Sequence, residues 1–358
     1  MDRADVAIVG GGPAGSACAI VCARAGLATV VLEREAFPRE KVCGDCLNPA
    51  CWPVLGRLKL ADAVRQVPHA ILDTVEFIGM SGRRIAVDLP QDGDKEIAVK
   101  RSIFDQLLLS EARAVGARIY ESAIVTRMER THWGDWKLDI VQDKVTAPVV
   151  VAADGRNSTI ARLRNLLPRF ERERVALQCH LSLPKGFGHK VVLQFLPEGY
   201  SGQAPVNEAE LNLCVVGKAR DMEKLKRWAI IEFGIEPHQP WRTITPLTRA
   251  PLDPIAGDLF LIGDAARVVE PFTGEGIYYA LRSGELAGEA IIALHQQQNR
   301  DLVLQQFRRA HAAMYRGRLW INDLARSAVV SPRVGSALVE LARVFPAALR
   351  LLTRKIAG

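Results

Sequence analysis

The apolar residues of this chain follow two rhythms. Unbroken short runs, "VAIVG" from Val6 and "TVVLE" from Thr29, have the character of strands buried on both faces. Between them, Pro13 to Ala25 repeats small and apolar residues at helical spacing. Ala4–Gly10, Pro13–Ala25 and Ala28–Leu32 are therefore expected to form strand, helix and strand of a parallel βαβ unit. Residues 35 to 57 read as a loop and a short helix, followed by strand-like runs at Thr74–Ile78, Arg84–Leu89 and Glu96–Val99. An amphipathic helix is expected over Ser102–Val115. "RIYESAIVTRMER" and "WKLDIV" flank the Gly134-Asp135 turn of a hairpin, and "APVVVAADG" is another buried strand.

The rhythm changes between about 171 and 249. Strands at 174–183, 190–196 and 210–217 suggest an antiparallel sheet, with a helix near 221–233. "GDLFLIGDAA" returns to the buried parallel style, and helices follow at 275–295, 302–327 and 333–355, the last interrupted at Pro346. The expected class is α/β: a Rossmann-like domain with a parallel sheet, an inserted, mostly antiparallel β-sheet domain for the substrate, and a helical C-terminal segment. The first comprises 1–70, 100–170 and 250–300; the second 71–99 and 171–249; the last 301–358.

Composition changes the picture in three ways. Apolar content of 49% and charged content of 24% over 358 residues suit a globular chain with a large core, and no run reaches the roughly 18 apolar residues of a spanning helix. The first strand starts almost at Met1 with no basic, apolar leader before it, so a cytoplasmic location is expected. The net charge of +7 lies wholly in 301–358, where ten Arg and Lys face three Asp and Glu. Those helices are expected to cap the α/β domain, or also to rest reversibly on an anionic membrane surface. Nucleic acid is not expected, since no aromatic residues interleave with the arginines. Of seven cysteines, Cys18, Cys22, Cys179 and Cys214 read as small core residues; Cys43, Cys46 and Cys51 cluster without a His at ligand spacing, so no metal site is expected.

Three motifs carry chemistry. Gly10-x-Gly12-x-x-Gly15, with Pro13 and Ala14 inside it, follows a strand and opens a helix. Gly10 allows the tight turn, Gly12 leaves room for a pyrophosphate, and Gly15 allows close helix–strand packing. Glu33, followed by Arg34, ends the second strand where an acid accepts from ribose hydroxyls. "AADGRNSTIAR" ends a strand at Asp154-Gly155; there Asp154 or Ser158 could equally be a helix N-cap. "LFLIGDAARVVEPFTGEGI" ends a strand at Gly263-Asp264 and leads through Pro271, Gly274 and Gly276 to Ile277 at the mouth of a helix. Glycines there suit either a tight turn or the close approach of a flat, anionic ligand.

The glycine triplet, Arg101 before "SIFDQLL", Asp154-Gly155 and Gly263-Asp264 occur in an order that resembles the flavoprotein family of aromatic hydroxylases, flavin-dependent halogenases and geranylgeranyl reductases. "KVCGD" at 41 to 45 and "PFTGEGIYYALRSGELA" look most like the reductase branch. The resemblance implies FAD in the glycine site, with Glu33 on the adenosine ribose, Arg101 on the flavin chain or pyrophosphate, and Asp264 on the ribityl chain. Gly274 to Ile277 would pass the pyrimidine edge of the flavin, and Cys43 would face the flavin or substrate as a candidate catalytic group. No second glycine triplet is present, so NAD(P)H is expected only as a transient reductant. The tryptophan motif of halogenases is missing from "EGYSGQAPVNEAELNLCVVG". The expected activity is reduction of C=C bonds in an apolar, prenyl-like substrate. The alternatives are a monooxygenase acting on an aromatic or polyketide-like substrate, and a non-enzymatic prenyl-group binder.

Overall fold

A computed structural model describes residues 2–90, 93–141, 143–168 and 174–344. Its centre is a six-stranded sheet in the order 255–256, 259–261, 149–152, 6–9, 29–32 and 118–120. All neighbours are parallel except the edge pair 255–256 and 259–261. Alternate residues of each run face opposite cores. Ile8, Val31, Val151 and Phe260 pack beneath the helices; Val9, Val30, Val150 and Leu261 pack on the other side. That two-sided burial is why these runs are unbroken. The second side is covered by a four-stranded sheet of 2–3, 144–147, 136–140 and 125–130, which contains the expected hairpin.

The first side is covered by helices Pro13–Arg24, Arg101–Ala114 and Gly276–His295. The first and last cross so closely that a Cβ on Gly284 would fall on the carbonyl oxygen of Ala14. This contact seats the mouth of the first helix against the body of the last.

The inserted sheet has seven strands in the order 242–244, 174–182, 210–218, 199–205, 190–196, 74–78 and 84–88. Its 190–196 and 74–78 strands are parallel and the other pairings antiparallel. Strand Gly199–Pro205 was not legible as one, because Gly, Ser, Ala and Pro carry little strand preference. It exists because it is paired on both edges, with 211–217 along its whole length and with 192–196 over 199–203. The 71–99 segment divides: 74–78 and 84–88 join this sheet, while 96–98 is the middle strand of a three-stranded sheet between Cys46–Leu47 and 70–72.

The expected helix 302–327 is two helices, Arg300–Met314 and Leu319–Val330, parted at Gly317, whose φ of +77° ends the first. The expectation that the tail caps the α/β domain holds for the first, where Phe307 packs edge-on against Phe260, and for the start of the second, where Leu319 packs with Val269 and Tyr279 and Asn322 donates to Glu275. Helix Pro332–Val344 instead lies on the inserted sheet: Val339 joins the cluster of Phe195 and Tyr200, and Ser336 accepts from the Met80 N–H at 2.9 Å. Part of the tail's charge is paired: Arg318 turns inward to buried Glu275, and Arg308 meets Asp253 at the surface. Pro346 lies outside the described residues.

Candidate active site

The glycine turn assembles as its spacing implies. Gly10 has a φ of +106°, and a Cβ there would sit 2.5 Å from the Ala153 carbonyl oxygen. A Cβ on Gly15 would fall on the Gly10 carbonyl, so helix and strand meet at backbone contact. Gly12 differs. Its φ of −74° is ordinary, and its Cβ would meet only Nη2 of Arg39, at 3.3 Å. No side chain caps the helix that starts there, so its first N–H groups remain available to an anion.

Gly12, Pro13 and Ala14 line one end of a cavity of about 270 Å³ that runs between the α/β domain and the inserted sheet. Of the other residues singled out in the sequence, Cys43, Arg101, Gly263, Asp264, Pro271, Gly274, Gly276 and Ile277 also line it. Pro271–Thr273 is a single 3₁₀ turn, Gly274 follows with φ +70°, and the helix starts at Gly276. A Cβ on either glycine would meet nothing, which leaves their backbone open to the cavity.

The turn is held from both sides by buried ion pairs. Glu270 receives Arg174 at 2.6 Å, and Glu275 receives Arg318 at 2.7 Å, Asn322 at 3.1 Å and the Tyr279 hydroxyl at 3.1 Å. The inserted sheet and the tail thus both position the glycine turn.

Three residues fall elsewhere. Asp154 does not face the cavity: its Oδ2 accepts from Thr159 N–H at 2.6 Å and Ile160 N–H at 3.1 Å, while Ser158 caps the same short helix. The capping alternative is the one the structure shows, and Gly155 and Arg156 line the cavity instead. Arg34 has an exposed side chain beside Glu35 and is not among the residues that line this cavity. The strand ends at Leu32, and the chain turns outward there. Glu33 is buried and accepts from the N–H groups of Gly11 at 2.7 Å and Glu35 at 3.0 Å, so it first of all fixes the glycine turn.

The glycine end of the cavity is strongly cationic. Lys41, Arg101 and Arg156 line it, and Arg39 stands beside Gly12. Arg101 is held by Asp105 in a two-pronged pair at 2.7 and 2.8 Å. Burial opposes its charge, but Asp105 and the Cys43 thiol more than offset this and push its pKa up. Burial, aided by Arg101, lowers Lys41 to about 8. Burial would raise Asp264, but Arg156 at 3.2 Å, with Lys41 and Arg101, holds it below the usual carboxylate range.

Lys41, Arg39 and Arg156 escaped the sequence reading, though Lys41 sits inside the quoted "KVCGD". No spacing rule joins residue 41 to 156. Also missed was the network around Cys43. Its carbonyl accepts from Gln178 at 3.0 Å and Asn212 at 2.8 Å, and Asn212 and His180 both donate to buried Asp45, at 2.7 and 2.9 Å. Asp45 has φ +61°, so the network holds an uncommon backbone turn in place. All seven cysteines are free thiols.

An uncapped helix mouth, glycines that leave space for a ligand and four cationic side chains suit a dinucleotide pyrophosphate. Residues 3–179 match the family model described as FAD binding domain. The menaquinone reductase of Mycolicibacterium smegmatis is 30% identical over 324 residues, which cover 80% of this chain and 76% of that protein. Digeranylgeranylglycerophospholipid reductase 1 of Methanothermobacter thermautotrophicus is 26% identical, over 82% of this chain and 78% of its own. The solved structure of the flavin-dependent brominase Bmp2 has a TM-score of 0.79 at 21% identity, covering 99% of this chain and 94% of that one, and shows the same fold. Fold and site define an FAD-dependent oxidoreductase. The chain belongs to the superfamily of geranylgeranyl reductases, aromatic hydroxylases and flavin-dependent halogenases.

Proposed function

We propose that this enzyme reduces C=C bonds of an apolar, prenyl-like substrate, with NAD(P)H as the transient reductant of its FAD. The observation that carries this reading is the cavity's second half. Beyond the cationic end its walls are Val75, Phe77, Val191, Leu193, Val216 and Phe272, with few polar groups among them. An apolar chain gains about 25 cal/mol for each Å² it buries against such a wall, whereas a polar substrate would lose its hydration there. The two reductases to which the chain is similar support the reading.

Bound FAD supplies two-electron redox chemistry. Gly12, the helix mouth behind it and Arg39 would hold its pyrophosphate, with Arg101 kept charged and oriented by Asp105. Gly274 to Ile277 would lie along the flavin edge, and the helix mouth at Gly276 favours negative charge there. Phe272 meets Tyr200 edge-on at 5.4 Å and Phe195 at 6.0 Å, which keeps water away from the same turn.

The test is anaerobic turnover of purified holoenzyme with NADPH or NADH and geranylgeraniol as probe, followed by mass spectrometry. The expected product gains H₂ for each bond reduced. A product that gains an oxygen atom, formed only in air and with matching oxygen uptake, would replace this reading with the monooxygenase.

A further inference from the structure

The cavity contains two carboxylates, and they stand in opposite surroundings. Asp264 lies among cations and pairs with Arg156. Glu96 has no hydrogen bond or ion pair among the described residues, and it lies where the wall is made by Val75, Leu89 and Val191. Its strand, Glu96–Ala98, is held on both edges. Cys46 and Leu47 pair with Ala98 and Ile97 on one side, and Leu72 stands opposite Glu96 on the other. The Trp52 indole donates to the Lys95 carbonyl at 2.8 Å and pins the strand's entry.

Continuing the antiparallel register by one residue sets Asn48 across from Glu96. Asn48 is 2% exposed and lines the same cavity, and its Nδ2 has no partner. Its Oδ1 accepts from the Cys51 thiol at 3.5 Å, which turns the free Nδ2 away from that neighbour. A buried amide donor without a partner, set beside a half-buried carboxyl that also has none, is costly unless a ligand meets it.

We propose that Glu96 is the proton donor of the reduction, with Asn48 as the neighbouring donor that holds it and the substrate in place. The proposal rests on the reductase reading above. In the step, a hydride from the reduced cofactor adds to one alkene carbon and the π bond breaks. The other carbon takes the proton of the Glu96 carboxyl. Two C–H bonds form, Glu96 is left as a carboxylate, and solvent reprotonates it.

The surroundings of Glu96 keep a proton on it at the pH where it is needed. Burial raises its carboxyl to about 7. Among the described residues, the titratable groups packed around it are the Cys46 and Cys51 thiols, both pushed up by burial and then by Glu96 itself, so neither offers a counter-charge. Its neighbour Lys95 points to the other face of the strand, toward Asp73 at 4.0 Å. Glu96 lines the same cavity as Cys43, Cys46 and Arg101.

Two measurements on holoenzyme test this. In stopped flow, Glu96→Gln should keep FAD and its rate of reduction by NADPH. Its reoxidation by geranylgeraniol should fall on the order of 10²- to 10⁴-fold, the usual range for a lost general acid, and Glu96→Asp should recover part of the rate. Reoxidation of Glu96→Gln at the wild-type rate overturns the proposal. Independently of any substrate, infrared difference titration of wild-type holoenzyme should show a carboxyl band that titrates near pH 7 and is missing in Glu96→Gln. A Glu96 already ionised well below neutrality overturns the proposal and leaves the reductase reading standing. Wild-type enzyme that fails to reduce the probe while the band titrates as expected overturns the reductase reading, and the proton-donor role with it.

Discussion

Replacing Gly12 with Ala should separate cofactor binding from folding. The backbone at Gly12 is one any residue adopts, and the new methyl would meet only the mobile end of Arg39, at 3.3 Å. The apo-protein should therefore melt like wild type, or be firmer by about 0.4–1 kcal/mol through a less flexible unfolded chain. The methyl would, however, stand in the space before the uncapped helix mouth. A backbone N–H bonded to a charged group contributes about 1.5–3 kcal/mol, so holding a pyrophosphate off two of them costs about 3–6 kcal/mol. That is a rise in the Kd for FAD on the order of 10²- to 10⁴-fold. Flavin fluorescence quenching on apo-protein measures the Kd, and a thermal melt measures the fold. Gly15→Ala is the contrast, because its methyl strikes the Gly10 carbonyl and neither backbone can yield, so the apo-fold itself should fail. An unchanged Kd in Gly12→Ala, or an apo-protein as damaged as Gly15→Ala, would refute the reasoning.

The other expectations concern charge and thiols. Lys41 titrates at about 8 in the apo-fold and at 10.5 as a free side chain, so the unfolded chain binds more protons between these values and apo stability should rise with pH across that window. Phosphates restore the charge, so FAD binding should take up a proton and weaken above about pH 8; calorimetry in buffers of different ionisation enthalpy reads this, and Lys41→Met should abolish the uptake. Arg318→Ala leaves the 1%-exposed Glu275 without its cation, which should cost about 3–5 kcal/mol in a melt of the holoenzyme and shift the flavin midpoint potential; Arg318→Lys should lose less. Cys46→Ala and Cys51→Ala should retain turnover, since burial pushes both thiols far from reactivity; loss of activity with FAD still bound would mark them as a redox pair.

The elements whose residues must satisfy a local rule can be read from the chain alone. Buried parallel strands need unbroken apolar runs, and a helix mouth that receives phosphate needs glycines at fixed intervals, so 4–32, 149–155 and 259–277 were legible together with the flavoprotein class. What depends on residues far apart in the chain emerges only once they are folded together. Asp154 could be read as ligand or cap until its Oδ2 met the N–H groups of 159 and 160. Strand 199–205 owes its existence to two partners rather than to its own residues. Helix 332–344 rests on the inserted sheet because Val339 finds Phe195 there, which no count of tail charges could indicate. Lys41 and Glu96 are an ordinary lysine and an ordinary glutamate in the sequence. Their titration near neutrality comes from burial, and burial is a property of the assembled chain.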